Sequence, residues 1–205
     1  VPSTYRYDDG TARVVKVTPE GETHTANQWF VSSGDKVSKH VFAGATRIAS
    51  TVEGPVGPAT FYYHPDHLGS SSMVSDQNGA IYQHLAYFPF GETWIDQKRS
   101  SDEGVPYRYT AKEWDEDTKL YYYGARYYDP RLSLWTAPDP AMGEYLPTTD
   151  KVGNAGGKVG LQLPELETNW QTCVEGLGCG ASFEPKNLST FAYAQQNPIK
   201  FNDPD

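Results

Sequence analysis

Cysteine is almost missing from these 205 residues: Cys173 and Cys179 are the only two, in the run Cys-Val-Glu-Gly-Leu-Gly-Cys. Two sulfurs cannot alone supply the four ligands of a structural zinc site. A small disulfide loop and a pair of free thiols are both open readings of that spacing. Positive charge is also short, with Lys+Arg 17 against Asp+Glu 26 and a formal net charge of −9. No basic cluster relieves it, and a surface of this sign repels phosphate backbones, so nucleic acid is not expected as a direct partner. Long apolar runs are absent as well. Nothing approaches the roughly 18 residues needed to cross a bilayer, and Val1-Pro2-Ser3-Thr4-Tyr5 has neither the basic start nor the apolar stretch of a signal peptide. The segment therefore reads as soluble, with no membrane span. Gly 19 and Pro 15 punctuate the chain too often for a coiled coil or a long helix. What is plentiful is tyrosine, 15 against 8 phenylalanines, a side chain whose apolar body and polar tip suit half-buried surfaces.

Over the first 125 residues, β-branched and aromatic runs alternate with turn residues. Turns are expected at Asp9-Gly10, Pro19-Glu20-Gly21, Ser33-Gly34-Asp35, residues 54–58, Asp76-Gln77-Asn78-Gly79 and Pro89-Phe90-Gly91. Their spacing of about 10–20 residues is the rhythm of successive antiparallel strands, not of strand–helix–strand units. Residues 5–17 fit a hairpin with Tyr5 and Tyr7 on one face. Ile81 to Tyr87 is expected to close a second hairpin, opened by Phe61-Tyr62-Tyr63, across Asn78-Gly79. From about residue 143 to 186 aromatics thin out and no period survives, which reads as an irregular insertion. Its Gly153-Asn154-Ala155-Gly156-Gly157-Lys158-Val159 lacks the spacing and the final Ser or Thr of a phosphate-binding loop. The reading is all-β: an antiparallel strip of hairpins over 1–125, then a C-terminal region over 126–205 that contains the insertion.

Six stretches, in order, resemble one family. They are the Tyr-Asp hairpin at 5–13, residues 38–44 (Ser-Lys-His-Val-Phe-Ala-Gly), residues 63–70 (Tyr-His-Pro-Asp-His-Leu-Gly-Ser), residues 87–92 (Tyr-Phe-Pro-Phe-Gly-Glu), residues 120–130 (Leu-Tyr-Tyr-Tyr-Gly-Ala-Arg-Tyr-Tyr-Asp-Pro), and Asp139-Pro140. Together these are similar to the RHS (rearrangement hotspot) or YD-repeat proteins, and in particular to their repeat-associated core. The resemblance covers about residues 1–140 and 187–205. It implies a β-strip that spirals into a hollow shell around a C-terminal toxin or effector, as in the C component of insecticidal toxin complexes, with teneurins as distant relatives. This chain would be the last turns of that shell. Its implied partners are its own upstream repeats, the downstream effector, and a protein that caps the shell or exports it. The implied setting is secretion, or export to the bacterial cell surface.

The resemblance further implies an intramolecular aspartyl protease that needs no cofactor or metal. The matching positions are Asp139, Asp203 and, in the tyrosine-rich motif, Arg126. Two carboxylates held close share one proton, so the charged one activates water and the neutral one donates to the scissile carbonyl. A guanidinium beside them can orient a carboxylate or stabilise negative charge. The chain departs from the family at Ser133-Leu134-Trp135, where Gly-Arg-Phe/Trp is usual, and at Thr110-Ala111-Lys112-Glu113, where Thr-Gly-Lys-Glu is usual. It stops one residue short of the glycine in the final Asp-Pro-X-Gly motif, which places the scissile bond beyond it.

Plainer readings stand beside these. Asp-Pro is an ordinary turn dipeptide. Arg126 can stack on aromatics or pair with a carboxylate such as Asp129. His64, Asp66 and His67 fit a hydrogen-bonded turn better than a metal site, because a strand would send His67 to the opposite face. The run Asp115-Glu116-Asp117 reads as a solvated hairpin loop. The tyrosine clusters are expected to pack across strands, with a carbohydrate platform as the lesser reading. Trp94, Trp114, Trp135 and Trp170 are expected on inner or inter-turn faces. A non-catalytic structural or adhesive surface module is the competing function, and a two-carboxylate glycosidase a third, weakened by the lack of a visible sugar cleft. Open strand edges predict that the isolated strip associates or needs its upstream repeats.

Overall fold

The computed structural model describes residues 3–10, 12–99, 104–140 and 191–200. Asp203, both cysteines, Trp170 and the whole of the expected insertion lie outside them. Fourteen strands occur among the described residues, with no α-helix. Ten form one antiparallel sheet in strict chain order: β1 (Thr4–Tyr7), β2 (Arg13–Thr18), β3 (Gly21–Asn27), β4 (Phe30–Ser33), β5 (Lys36–Ala43), β6 (Thr46–Glu53), β7 (Ala59–Pro65), β8 (Ser71–Asp76), β9 (Ile81–Tyr87) and β10 (Thr93–Lys98). Four short strands make a second meander: β11 (Glu113–Asp115), β12 (Leu120–Tyr122), β13 (Tyr127–Asp129) and β14 (Leu134–Trp135). Residue 125 falls within this second sheet, between β12 and β13.

The turn residues act as read. Gly21, Gly34, Gly79 and Gly91 all have positive φ, a region open to glycine at no steric cost. The first hairpin is β1–β2, and Tyr5 and Tyr7 both reach Tyr127, by ring contact at 5.8 Å and through a 2.8 Å hydroxyl pair. The second hairpin needs correction. β7 pairs with β8, and β8 with β9, so residues 71–76 intervene between the strands expected to pair. Asp66 builds the extra turn, its Oδ1 accepting from the Leu68 and Ser70 amides at 2.9 and 2.8 Å.

The long sheet curls. Tyr121 and Tyr122 are adjacent on β12 and point to opposite sides. The Tyr121 hydroxyl donates to the carbonyl of Gly91, in the β9–β10 turn, at 3.1 Å, and the Tyr122 hydroxyl accepts from the amide of Arg13, on β2, at 2.7 Å. Flat, seven strand spacings of about 4.8 Å would hold β2 and β9 some 34 Å apart, beyond the reach of two neighbouring side chains. The strip therefore wraps around the small sheet and the segment 104–112 before it.

Two buried clusters fill the space between. One joins Tyr109, Tyr121, Tyr123, Tyr128, Trp135 and Tyr193; the other joins Tyr63, Val74, Tyr82, Leu85 and Val105. Tyrosine is used here for its hydroxyl as well as its ring. Tyr109, Tyr128 and Tyr121 donate in turn to the successive carbonyls of Pro89, Phe90 and Gly91 at 2.9, 2.8 and 3.1 Å. One turn is thus satisfied by three side chains from three elements.

The run 115–117 also departs from expectation. Asp115 has no exposed surface. It accepts from Arg13 Nη1 at 2.7 Å and from Lys16 Nζ, while Glu113 takes Arg13 Nη2 at 2.7 Å. Burial would pull the Arg13 guanidinium below its ordinary value, but Glu113 and Asp115 more than reverse it. Only Glu116 and Asp117 behave as a solvated loop.

Candidate functional site

Arg126 sits in the tight turn between β12 and β13, where the Tyr123 amide donates to the Arg126 carbonyl at 3.0 Å and Gly124 takes φ 101°. That turn sends the Arg126 side chain inward, where it is buried. Its guanidinium carbon lies 4.0 Å from the ring centre of Trp135, and its Nη1 lies 3.6 Å from Asp139 Oδ2. At that separation the contact is an ion pair, longer than a hydrogen bond. Asp139 keeps about a third of its side chain open, at 29%. The guanidinium is thus fixed by an aromatic face, and the carboxylate it holds faces solvent. Asp129 is not its partner, because Arg131 takes both Asp129 oxygens at 3.0 and 2.7 Å.

Trp135 also anchors the returning C-terminal segment. Its amide donates to the Phe191 carbonyl at 3.0 Å, Leu134 forms a bridge with Ala192, and its ring centre lies 5.5 Å from that of Tyr193. Tyr193 is buried, and its hydroxyl meets that of Tyr123 at 2.7 Å; Tyr123 in turn bonds Thr110 Oγ1 at 2.6 Å. Burial pushes the Tyr123 phenol well above its ordinary value, so this relay is uncharged. Further on, His67 Nε2 bonds the Ile199 carbonyl at 2.9 Å. The segment that leads toward Asp203 is therefore fastened to the tryptophan that carries Arg126. Sequence reasoning named Arg126 and Asp139 but not Trp135 or Tyr193 as their platform; the signal available was a conspicuous tryptophan four residues before Asp139.

The departures from the family pattern take a structural form. Ser133 and Ala111 both occupy positive φ, 59° at each, the conformation for which glycine is usual and other residues incur about 1–2 kcal/mol. Leu134, at the usual arginine position, is exposed.

His64, Asp66 and His67 do not converge. His64 bonds Ser75 Oγ at 3.0 Å, and the other two serve the turn and the C-terminal segment. No group of three metal-ligating side chains occurs among the described residues. The tyrosines of β12 and β13 pack across strands as expected, and Trp135 is buried. Trp94 is 67% exposed, however, and stacks loosely on Phe88 at 6.1 Å, so it marks an outer face.

Residues 58–154 match the Teneurin YD-shell family. This match, the relatives and the fold together make the chain similar to RHS/YD-repeat proteins. The chain is 29% identical over 165 residues to toxin subunit YenC1 of Yersinia entomophaga, covering 67% of the chain and 17% of that protein. It is 28% identical over 163 residues to the tRNA3(Ser)-specific nuclease WapA of Bacillus spizizenii, covering 76% of the chain and 7% of that protein. The crystal structure of TcdB2-TccC3 has the same fold, with a TM-score of 0.66 at 22% identity over 99% of the chain and 9% of that chain. The chain thus spans under a fifth of each of these proteins. Among the described residues, no helix is long and apolar enough to cross a membrane.

Proposed function

We propose that this chain closes a secreted or surface-exported shell around an effector carried on the same polypeptide, and releases that effector by aspartyl self-cleavage. The observation that carries the reading is the Arg126–Asp139 ion pair, built on Trp135, with the segment leading to Asp203 docked on the same ring. Asp139 and Asp203 form the carboxylate pair, and Arg126 is the positioning residue. One carboxylate takes a proton from water as its oxygen adds to the scissile carbonyl carbon. The other gives a proton to the amide nitrogen as the C–N bond breaks. Because both carboxylates and the scissile bond belong to one chain, orientation supplies much of the rate. The printed names of two relatives, a toxin subunit and a nuclease, support an effector as the enclosed cargo.

The test is mass spectrometry of the parent polypeptide with its native flanking sequence. Wild type should appear as two fragments, Asp139→Asn and Asp203→Asn as one intact chain, and Arg126→Lys as a slowly splitting chain, since lysine lacks the planar fork. An intact wild type would leave a structural or adhesive β-module in place of the protease, and cleavage that persists in Asp139→Asn would remove Asp139 from the reacting pair.

A further inference from the structure

A second buried arginine sits away from this site with no acceptor. Arg47, on β6, is 7% exposed, and no oxygen among the described residues accepts a hydrogen bond from its guanidinium. Its Nε and Nη1 are wholly shielded from solvent. What it does have is aromatic: the ring centre of Tyr107 lies 3.2 Å from its guanidinium carbon and that of Phe42 5.0 Å away. His40, on β5, shares this wall. Its ring meets Tyr107 edge-on at 5.1 Å, its Nδ1 bonds Ser50 Oγ at 2.7 Å, and its Nε2 is buried without a partner. Two side chains more than nine-tenths buried therefore bring unmatched nitrogens to one tyrosine ring. A buried donor left unmade is costly, and an uncompensated buried charge more so.

Charge counting gives the sign and size of what is missing. Apart from Arg108, which pairs with Asp96 and Glu116, and Lys112, which lies over the Tyr123 ring, the cations here are Arg13, Lys16 and Arg47, and the carboxylates are Glu113 and Asp115. Both carboxylates are bound by Arg13 and Lys16, and Glu113 acts on Arg47 only through its field, without a bond. His40 adds no negative charge and Tyr107 is neutral. One positive charge is left over, inside a chain whose overall balance is −9. A water could occupy the donors but would not cancel the charge.

We infer that Arg47 and His40 form a binding site for one small monovalent anion, a carboxylate or a halide, held against the Tyr107 ring. The guanidinium supplies charge and N–H donors. With Ser50 donating to Nδ1, the imidazole presents Nε2–H to the same anion. Such an anion would come either from solution or as an Asp or Glu side chain from elsewhere in the parent polypeptide; the recognising chemistry is the same.

Thermal unfolding of the 205-residue chain with acetate, and separately with chloride, at constant ionic strength balanced by sulfate, tests this. Wild type should show a saturating rise of about 5–10 °C between the sulfate reference buffer and one hundred times the dissociation constant of the monovalent anion. Arg47→Met, which keeps bulk and removes charge, should lose that dependence, and His40→Phe should weaken apparent affinity several-fold. If Arg47→Met does not fold, a bromide soak decides: an anomalous peak within hydrogen-bond distance of Arg47 supports the site, and none there overturns it. Repeating the titration in the parent polypeptide separates the sources. Retained dependence assigns a free anion, and lost dependence with a carboxylate located on Arg47 assigns the chain's own side chain. A wild type indifferent to both anions, with no carboxylate on Arg47 in the parent polypeptide, overturns the proposal.

Discussion

Neutralising Asp115 should cost far more than neutralising Asp117, two residues away in the same acidic run. Asp115 is fully buried and bonded to Arg13 and Lys16, whereas Asp117 accepts an exposed bond from Ser3 Oγ. Removing one member of a buried pair typically costs about 3–5 kcal/mol, because the other charge is stranded. In Asp115→Asn, Arg13 keeps Glu113 at 2.7 Å, so the loss should fall near 3 kcal/mol. With a urea dependence of about 2 kcal/mol per molar, the unfolding midpoint should drop by about 1.5 M. Asp117→Asn should shift it by less than about 0.3 M, as exposed substitutions usually stay within about 0.5 kcal/mol. Equilibrium urea unfolding followed by tryptophan fluorescence reads both, since Trp135 lies in the tyrosine cluster of the small sheet and Trp114 packs against it. Arg13→Met combined with Asp115→Leu should recover part of the loss. Equal midpoints for the two single variants would refute the assignment of Asp115 as a buried brace.

Gly91→Ala should cost about 2–5 kcal/mol, because a Cβ there would lie 2.4 Å from Tyr109 Cδ1 and φ is 87°; an unchanged urea midpoint would show that the turn can slide. Stability should also carry a pH signature from His40, whose pKa burial, aided by Arg47, lowers from 6.5 to about 4. The imidazole is neutral when folded and protonates near 6.5 when unfolded, so the unfolded chain binds more protons between these values. Its contribution is present above pH 6.5 and falls away as pH drops toward 4, by up to about 3 kcal/mol. His40→Gln should show a shallower loss between pH 7 and 4.5 than wild type, and parallel pH curves would contradict this.

Most of the strip was legible because its turns are written in residues with local meaning: Asn78-Gly79 and Pro89-Phe90-Gly91 bend the chain for reasons that need no distant partner. The strand β8 was not. Ser71-Ser72-Met73-Val74-Ser75-Asp76 is poor in strand-forming bulk, since Ser71 and Asp76 are buried for their hydrogen bonds to Tyr107 and Arg99. Asp115 was misread for a related cause. Three acidic residues together suggest water, and the cations that bury one of them lie about a hundred residues earlier. Arg126 and Asp139 were reached through resemblance alone, because nothing local distinguishes Asp139-Pro140 from an ordinary turn. Arg47 carried no signal and His40 only its place in the stretch 38–44, their common wall being Tyr107, sixty residues beyond Arg47.

Adjacent tyrosines on β12 hold opposite ends of the curled strip, and this has a mechanical meaning. A pull that separates the β1–β2 end from the β9–β10 end loads Tyr121 and Tyr122 together, in opposite directions, across a strand of three residues. The hydrogen bonds between the long strands run along such a pull and could open one at a time; the bonds of the small sheet to the two ends, Tyr121 and Tyr128 on one turn and Tyr122 and Asp115 on Arg13, are loaded in parallel. Resistance should therefore be high until these bonds give way together, and the wrap would then open in one event.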